Sequence, residues 1–185
     1  MKFKNITFGK HSYGDIRIEG ISWGKVGIGK YCSIGQNVVV FMSYDHNTDN
    51  ISTYPFGHAD LPISKKIKFA LPRATFHRST QLRTYIGNDV WIGSNTVLFS
   101  DITIGDGAVI GEYSIITKDI PPYSVAVGQS RIIRSRFPDE DIKFLLDLKW
   151  WDFEDEMVAS IAHILCSPNI NALRTWAKGN KKIEG

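Results

Sequence analysis

The side chains of this chain that could move a proton at neutral pH are few, and most of them fall in one stretch. Three of the five histidines, His46, His58 and His77, lie between residues 41 and 85. Imidazole titrates near pH 6.5 in model compounds, so it can take a proton from a hydroxyl or an amine at neutral pH. A histidine considered alone is more often a surface or structural residue, so its chemistry depends on the elements around it.

The cysteine spacing indicates the cellular compartment, and the composition limits the classes of partner. Cys32 and Cys166 have neither disulfide nor zinc spacing, which is typical of a reducing compartment. The first ten residues lack the pattern of a secretory signal, and no apolar run approaches the ~18 residues that a membrane helix needs. The net charge of +3 is too small to indicate a nucleic-acid partner. We therefore expect a cytoplasmic protein without a membrane span or a nucleic-acid partner.

A six-residue period predicts the element that must position these side chains. From Ile86 the chain reads IGNDVW, IGSNTV, LFSDIT, IGDGAV, IGEYSI and ITKDIP, with a large aliphatic residue at the start of each hexad. Neither an amphipathic helix nor a half-buried strand has a lasting period of six. A parallel β-helix does, because each short repeat forms one wall and stacked turns build the core.

The same period predicts which side chains are buried. The hexads IGKYCS and IGQNVV run from Ile28, and stepping back by six residues predicts a degraded coil near Ile16. The fifth position of each hexad is small or branched and should point inward, which makes Cys32 a buried residue. The sixth position should point outward, so Trp91 is expected to be exposed on a wall.

Two segments interrupt or end the repeat. The register is lost over residues 41–85, a length typical of lids and binding loops. Pro121 and Pro122 remove backbone donors, so we expect the chain to leave the β-helix there.

The C-terminal part has a helical pattern. Apolar residues at spacings of three and four predict one helix from Asp139, a second from about Phe153 to Leu165, and a third from Ile170 to Ala177. The expected organisation is an all-β main domain at 1–137 and a small helical extension at 138–185. These helices should cover an end or side of the β-helix and hide the exposed edge of its last coil.

Four blocks resemble the hexapeptide-repeat acyltransferases, in particular the xenobiotic branch with its chloramphenicol, streptogramin and polysaccharide-modifying acetyltransferases. They are YCSIG from Tyr31, HNTDNISTYPF from His46, the hexads from Ile86 through the segment TKDIPPYSVAVG, and RFPDEDIKFLLDLKWWDF from Arg136. The histidine loop and FLLDLKWWDF are more specific than the repeat. The resemblance implies a left-handed parallel β-helix with a protruding active-site loop, and a homotrimer that binds acetyl-CoA between subunits.

The resemblance also implies roles for residues of the loop. His46 matches the catalytic histidine of the family, which would act as the general base on the acceptor hydroxyl or amine. Tyr44, Asp49 and Tyr54 are candidates for the acceptor side, with loop packing as the alternative. Because no cysteine or serine stands beside a histidine between residues 41 and 85, we expect direct transfer in a ternary complex.

For the co-substrate, the resemblance points to the later coils. The candidates match residues near the reacting region or in contact with pantetheine and nucleotide, or supply cations near the phosphates: Trp91, Ser94, Thr117, Lys118, Arg131 and Arg134. The same basic run also contains Arg136. Acetyl-CoA is the expected co-substrate, and no metal is expected.

Three departures from the family pattern concern the groove for the co-substrate. The loop after Val127 is one residue shorter than usual, which makes Arg131 the stand-in for a lysine; Glu112 replaces a small residue; and SD at Ser100 replaces a Pro-Gly turn. These departures leave open an inert β-solenoid that serves as a binding or scaffold protein. A zinc enzyme on this scaffold is disfavoured because no histidine lies in the regular repeat.

The motifs do not specify the acceptor. A surface polysaccharide, a nucleotide sugar and a xenobiotic such as an antibiotic all fit them. The basic residues of the interruption, among them Lys65, Lys66 and Arg83, motivate the hypothesis of an anionic acceptor.

Overall fold

A computed structural model of the chain describes residues 5–20, 24–42, 46, 49–56, 61–67 and 82–180. The strands are β1 (Ile6–Phe8), β2 (Ile16–Gly20), β3 (Lys25–Ile28), β4 (Ser33–Ile34), β5 (Val38–Met42), β6 (Arg83–Ile86), β7 (Trp91–Ile92), β8 (Val97–Phe99), β9 (Thr103–Ile104), β10 (Val109–Ile110), β11 (Ile115–Ile116), β12 (Ser124–Val127) and β13 (Arg131–Ser135). The helices are α1 (Asp139–Leu148), α2 (Asp155–Leu165) and α3 (Ile170–Gly179), with 3-10 helices at Pro62–Lys66 and Trp150–Asp152.

The chain visits three sheets in rotation. Sheet A has the order β1-β3-β6-β9, sheet B the order β4-β7-β10-β12-β13, and sheet C the order β2-β5-β8-β11. Every pairing is parallel except that of β12 with β13. After each visit to sheets A, B and C the chain returns to sheet A one strand further along, so it winds around a common interior.

The first residues of the hexads stack inside this winding. In sheet B, Ile34, Ile92 and Ile110 lie in one column across paired strands, and each is at most 4% exposed. The predicted inward fifth positions are buried as well: Cys32, Val90, Thr96, Ile102, Ala108, Ser114 and Ile120. The predictions of a buried Cys32 and an exposed Trp91, which is 54% exposed, are confirmed.

The fourth residue of the hexad turns the corner between two sheets. Residues at this position have φ between 54° and 66°: Tyr31, Asn37, Asp89, Asn95, Asp101, Gly107 and Tyr113. Most L-residues avoid this left-handed conformation, and Gly, Asn and Asp tolerate it best. Tyr31, Asp89 and Gly107 stand one above another between sheets A and B, and Tyr123, with φ 53°, continues the column. We call this column the A–B corner.

The chain does not leave the coil at Pro121 and Pro122, so that prediction is wrong. Ile120 still bridges Ile104 in sheet A, and β12 adds a parallel strand to sheet B beside β10. The prolines lie between these two, at the corner of the final turn. A missing N–H costs little there, because no further coil stacks on that turn in sheet A.

The predicted helices are present, and they lie along a side of the coil. Tyr31 and Tyr123 of the A–B corner pack in one cluster with Leu145, Trp150 and Ile161. The edge of the last coil in sheet B is paired with β13, so the helices do not hide it as predicted.

The interruption of the repeat begins and ends at one corner, between sheets C and A. Sheet C continues to Met42 and sheet A resumes at Arg83, which makes the interruption slightly shorter than predicted. The backbone N–H of Lys25 donates to the carbonyl of Leu82 at 2.9 Å, so the flanking coils stack directly. No helix in the described part of the chain is both long and apolar enough to cross a membrane.

Candidate active site

His46 is oriented by the backbone of the segment STYPF. Its Nδ1 lies 2.7 Å from the carbonyl oxygen of Thr53, and the ring is exposed. A carbonyl oxygen can only accept a hydrogen bond, so Nδ1 carries the proton of the neutral ring. Nε2 is then the nitrogen with the lone pair, which is the form that a general base requires. The sequence suggested His46 but not Thr53, because a backbone partner leaves no signature in residue type.

Short-range contacts hold this segment in shape. The backbone N–H of Tyr54 donates to the Ser52 hydroxyl at 3.1 Å, and the rings of Tyr54 and Phe56 lie 4.8 Å apart. The hydroxyl of Ser64 in the 3-10 helix donates to the carbonyl of Phe56 at 2.9 Å. The 3-10 helix therefore anchors the segment that orients His46.

Two of the three acceptor candidates fall in the described residues. Tyr54 lies in the segment STYPF and Asp49 three residues before it; both are exposed, and Tyr44 lies outside the described residues. Lys65 and Lys66 are exposed at the end of the 3-10 helix. A negatively charged group that approached this segment would meet these two cations.

Sheet B carries an apolar strip on its outer face that ends in arginines. Trp91 pairs with Val109, Val109 with Val125, and Val125 with Arg134, and directly paired residues share a face. Arg131 pairs with Val127 on the same strands. Three strand spacings separate Trp91 from Arg134, which is roughly 14 Å.

The other co-substrate candidates lie at different corners. Thr117 and Lys118 are exposed just after β11, where the chain passes from sheet C to sheet A. The backbone N–H of Thr117 donates to the Ser130 hydroxyl at 2.9 Å. Ser94 lies at the corner between sheets B and C, where its hydroxyl accepts from the backbone N–H of Gln36 at 3.2 Å.

Apart from Ser94, these candidates form two groups on opposite sides of the coil. Thr117, Lys118 and the interruption that carries His46 belong to the corner between sheets C and A. Trp91 and Arg134 belong to sheet B, which faces that corner across the packed interior. One copy of the coil therefore separates Thr117 and Lys118 from Trp91 and Arg134.

Arg136 does not belong with the exposed arginines. Its Nη1 donates to the carbonyl of Gly107 at 2.7 Å and lies 3.4 Å from Oδ2 of Asp89. The guanidinium also lies 5.4 Å from the centre of the Tyr123 ring. The turn from β13 to α1 directs Arg136 into the A–B corner, where it is half-buried, unlike Arg131 and Arg134 of the same basic run.

The buried thiol of Cys32 is not a nucleophile candidate. Its Sγ donates to the carbonyl of Gly87 at 3.0 Å, and burial raises the pKa of the thiol. Within the described residues, no group of His, Cys, Asp and Glu side chains could hold a metal ion.

Comparisons with known proteins agree with the repeat and extend beyond it. Residues 83–118 match the family model of bacterial transferase hexapeptide (six repeats). The chain is 34% identical to a chloramphenicol acetyltransferase of Morganella morganii over 95% of this chain and 89% of that protein. It is 38% identical to a probable macrolide acetyltransferase of Lysinibacillus sphaericus over 77% of this chain and 78% of that protein.

Among solved structures, the chain is similar to a hexapeptide-repeat acetyltransferase of Vibrio cholerae that was crystallised with acetyl-CoA. The TM-score is 0.50 at 24% identity, over 73% of this chain and 62% of that one. A likeness at this level concerns the fold.

Proposed function

Because this chain belongs to the xenobiotic branch of the hexapeptide-repeat acyltransferases, and is an acyltransferase, we propose that it transfers an acetyl group from acetyl-CoA with His46 as general base. The acceptor is a hydroxyl or an amine of a small molecule or a sugar. The observation that carries the proposal is the 2.7 Å contact between Nδ1 of His46 and the Thr53 carbonyl, which leaves Nε2 as the basic nitrogen.

The proposed reaction needs no covalent enzyme intermediate. Nε2 of His46 takes the proton of the acceptor as the acceptor oxygen or nitrogen attacks the thioester carbonyl. The tetrahedral intermediate then collapses, the carbon–sulfur bond breaks and CoA leaves as the thiolate, which the imidazolium can protonate. The Thr53 carbonyl stabilises the imidazolium, because it accepts from the Nδ1 proton throughout.

The outer face of sheet B fits acetyl-CoA. The pantetheine arm is largely uncharged and would lie along Trp91, Val109 and Val125, while the phosphates would reach Arg131 and Arg134. Thr117 and Lys118, on the opposite corner, would contact the co-substrate from a second subunit.

This arrangement supports a homotrimer around a left-handed parallel β-helix. The corner between sheets C and A of one copy would pack against sheet B of the next. Such a head-to-tail contact closes into a ring of three when each copy is rotated by a third of a turn from the last. Each active site would then combine His46 of one subunit with Trp91 and Arg134 of its neighbour. The proposed organisation is a main domain at 1–137 and a helical extension at 138–185.

For the acceptor we propose an anionic molecule such as a nucleotide sugar or an acidic glycan. Lys65 and Lys66 support this choice, because their 3-10 helix anchors the segment that orients His46. A neutral xenobiotic is the alternative that the named relatives suggest.

The first experiment is a calorimetric titration of acetyl-CoA into the protein, with desulfo-CoA and ATP as controls. We expect micromolar binding at about one site per chain. Release of CoA thiol is then followed with nucleotide sugars, acidic and neutral glycans, chloramphenicol and macrolides as acceptors, at low and high salt. An absence of acetyl-CoA binding would favour the inert solenoid. Equal turnover of neutral and anionic acceptors at both salt concentrations would contradict the anionic acceptor but not acetyl transfer.

A further inference from the structure

A cavity of about 350 Å³ lies between the A–B corner and the C-terminal helices. Its volume is more than twice the ~150 Å³ that suffices for benzene, and it falls within the usual range of small-molecule pockets. Tyr31, Asp89 and Tyr123 of the corner line one side. The proposed acyl transfer does not use this cavity, since the interruption that carries His46 leaves the coil at the corner between sheets C and A.

The helical side of the cavity is apolar. Leu145 of α1, Trp150 and Leu173 of α3 line it and are buried in one hydrophobic cluster. The end of α2, the turn that follows it and the first residue of α3 contribute residues 164–170 to the lining, and Cys166 in this turn is exposed. A molecule that entered beside this turn would bury an apolar body against the helices.

The corner side is polar but close to electrically neutral. Asp89 and Arg136 both line the cavity, and their side chains are 30% and 29% exposed. They touch through one 3.4 Å contact, so each retains hydrogen-bonding capacity. Burial raises the pKa of Asp89 although the Arg136 guanidinium opposes the shift.

Tyr123 adds a donor that lacks an acceptor. The residue is 1% exposed, and its buried hydroxyl has no hydrogen-bond partner among the described residues. Burial raises the pKa of this phenol, so the hydroxyl keeps its proton at neutral pH. Buried polar groups in native proteins almost always have a partner. The ring lies against Gly107 on one side, and the centre of the Phe137 ring is 5.8 Å from its own centre.

We propose that this cavity binds a small neutral molecule with an apolar body of about the size of naphthalene and a single hydroxyl group. The ligand oxygen accepts from the Tyr123 hydroxyl, and the ligand proton is donated to the Asp89 carboxylate. The apolar body lies between Leu145, Trp150 and Leu173. A ligand anion is disfavoured by Asp89 and a ligand cation by Arg136, because either would unbalance the charge of the pair.

The test uses the full chain and three matched probes. We expect 2-naphthol to bind about tenfold more tightly than naphthalene, which lacks the hydroxyl, and than 2-naphthoate, which is charged. Affinities are measured by calorimetry. The rate at which Cys166 reacts with a thiol reagent gives an independent readout, because a ligand beside the α2–α3 turn should slow that reaction severalfold.

Two variants test whether the affinity for 2-naphthol depends on the Tyr123 hydroxyl and the Asp89 carboxylate. Tyr123→Phe should lower the affinity for 2-naphthol about tenfold and leave that for naphthalene unchanged, whereas Tyr113→Phe at an exposed corner should change neither. Asp89→Asn keeps the side-chain shape and should also weaken 2-naphthol binding. It provides the second measurement if Tyr123→Phe fails to fold.

The melting temperature of Tyr123→Phe without ligand tests whether the Tyr123 hydroxyl lacks a partner or is bonded to an ordered water. An unchanged or raised value is expected if the hydroxyl lacks a partner. A lowered value, together with an ordered water between Tyr123 and Asp89 in a crystal structure, would overturn the proposal. Equal affinity for 2-naphthol and naphthalene, or no protection of Cys166, would overturn it as well.

Discussion

A backbone carbonyl seven residues downstream determines the tautomer of His46. In the sequence, the proposed base is therefore visible only as a single histidine. The orientation of its ring depends on the fold of the segment STYPF. This explains why residue types pointed to His46 but could not specify its partner. Residue type is equally uninformative for Arg136. It lies in the same basic run as Arg131 and Arg134, but the turn from β13 to α1 directs it into the A–B corner.

Replacing His46 tests the general base. His46→Ala should lower acetyl transfer by roughly 10²–10⁴ while acetyl-CoA affinity is retained, because the imidazole acts on the acceptor proton. Steady-state release of CoA thiol and calorimetry measure the two quantities. The matched control is His163→Ala, an exposed histidine of α2, which should behave as wild type. Near-normal turnover of His46→Ala would remove this residue from the role.

The two cysteines should react very differently with thiol reagents. Cys166 is exposed, whereas Cys32 is buried and its thiol pKa is raised by burial, so the thiolate fraction of Cys32 at pH 8 is below that of an ordinary cysteine. We expect one thiol per chain to react in the native protein and both to react in denaturant. Rapid reaction of two thiols in native buffer would contradict the inward orientation of Cys32.

At the scale of the elements, the period of six predicted most of the coil because it encodes which residues point inward. It did not predict the path at Pro121 and Pro122. Proline removes a hydrogen bond only where its nitrogen would face a neighbouring strand, and these two prolines lie at a corner with no further coil beside it. Left-handed backbone at the fourth position was not predicted either. Its signal, a recurrent Asn, Asp or Gly, is obscured by tyrosine at Tyr31 and Tyr113.

Alanine substitutions at three glycines distinguish the cost of backbone strain from the cost of side-chain crowding. At Gly107, φ is +66° and an added Cβ would lie 2.4–2.7 Å from atoms of the Tyr123 ring. At Gly128, φ is +58° with nothing within 4 Å, and Gly179 has neither constraint. Gly128→Ala should cost about 1 kcal/mol of unfolding free energy and Gly107→Ala clearly more, whereas Gly179→Ala, at the end of α3, should be neutral to stabilising because alanine has the higher helix propensity. Denaturant titrations measure the order; an equal cost at Gly107 and Gly128 would contradict the close ring contact.

The arginines of β13 should bind the phosphates of acetyl-CoA. Arg134→Ala should raise the KM for acetyl-CoA about 3- to 10-fold with little change in kcat, and Arg131→Ala should act in the same direction. High salt should reduce the difference between each variant and the wild type. Lys178→Ala, an exposed cation near the end of α3, is the matched control. An unchanged KM in both arginine variants would place the phosphates elsewhere.

At the scale of the molecule, two impaired variants should complement each other. His46→Ala disables the loop side of the proposed site, and Trp91→Ala with Arg134→Ala weakens acetyl-CoA binding on the sheet B side, so activity is compared at acetyl-CoA concentrations far below the KM. In mixed trimers from co-expression, about a quarter of the interfaces would join two intact halves and recover activity. Light scattering should show three chains per particle. A mixture no more active than its components would place each site within one chain.

The direct stacking of the coils on either side of the interruption has a consequence for how the pocket can diversify. Since Met42 pairs with Gly20 in sheet C and Leu82 is bonded to Lys25, both ends of the inserted residues are fixed whatever the length of the loop. The entropy of closing such a loop grows only with the logarithm of its length, and a doubling costs about 0.6 kcal/mol. Loops of very different length and composition can therefore be exchanged on one unchanged scaffold, which separates selection for a new acceptor from selection for a stable fold.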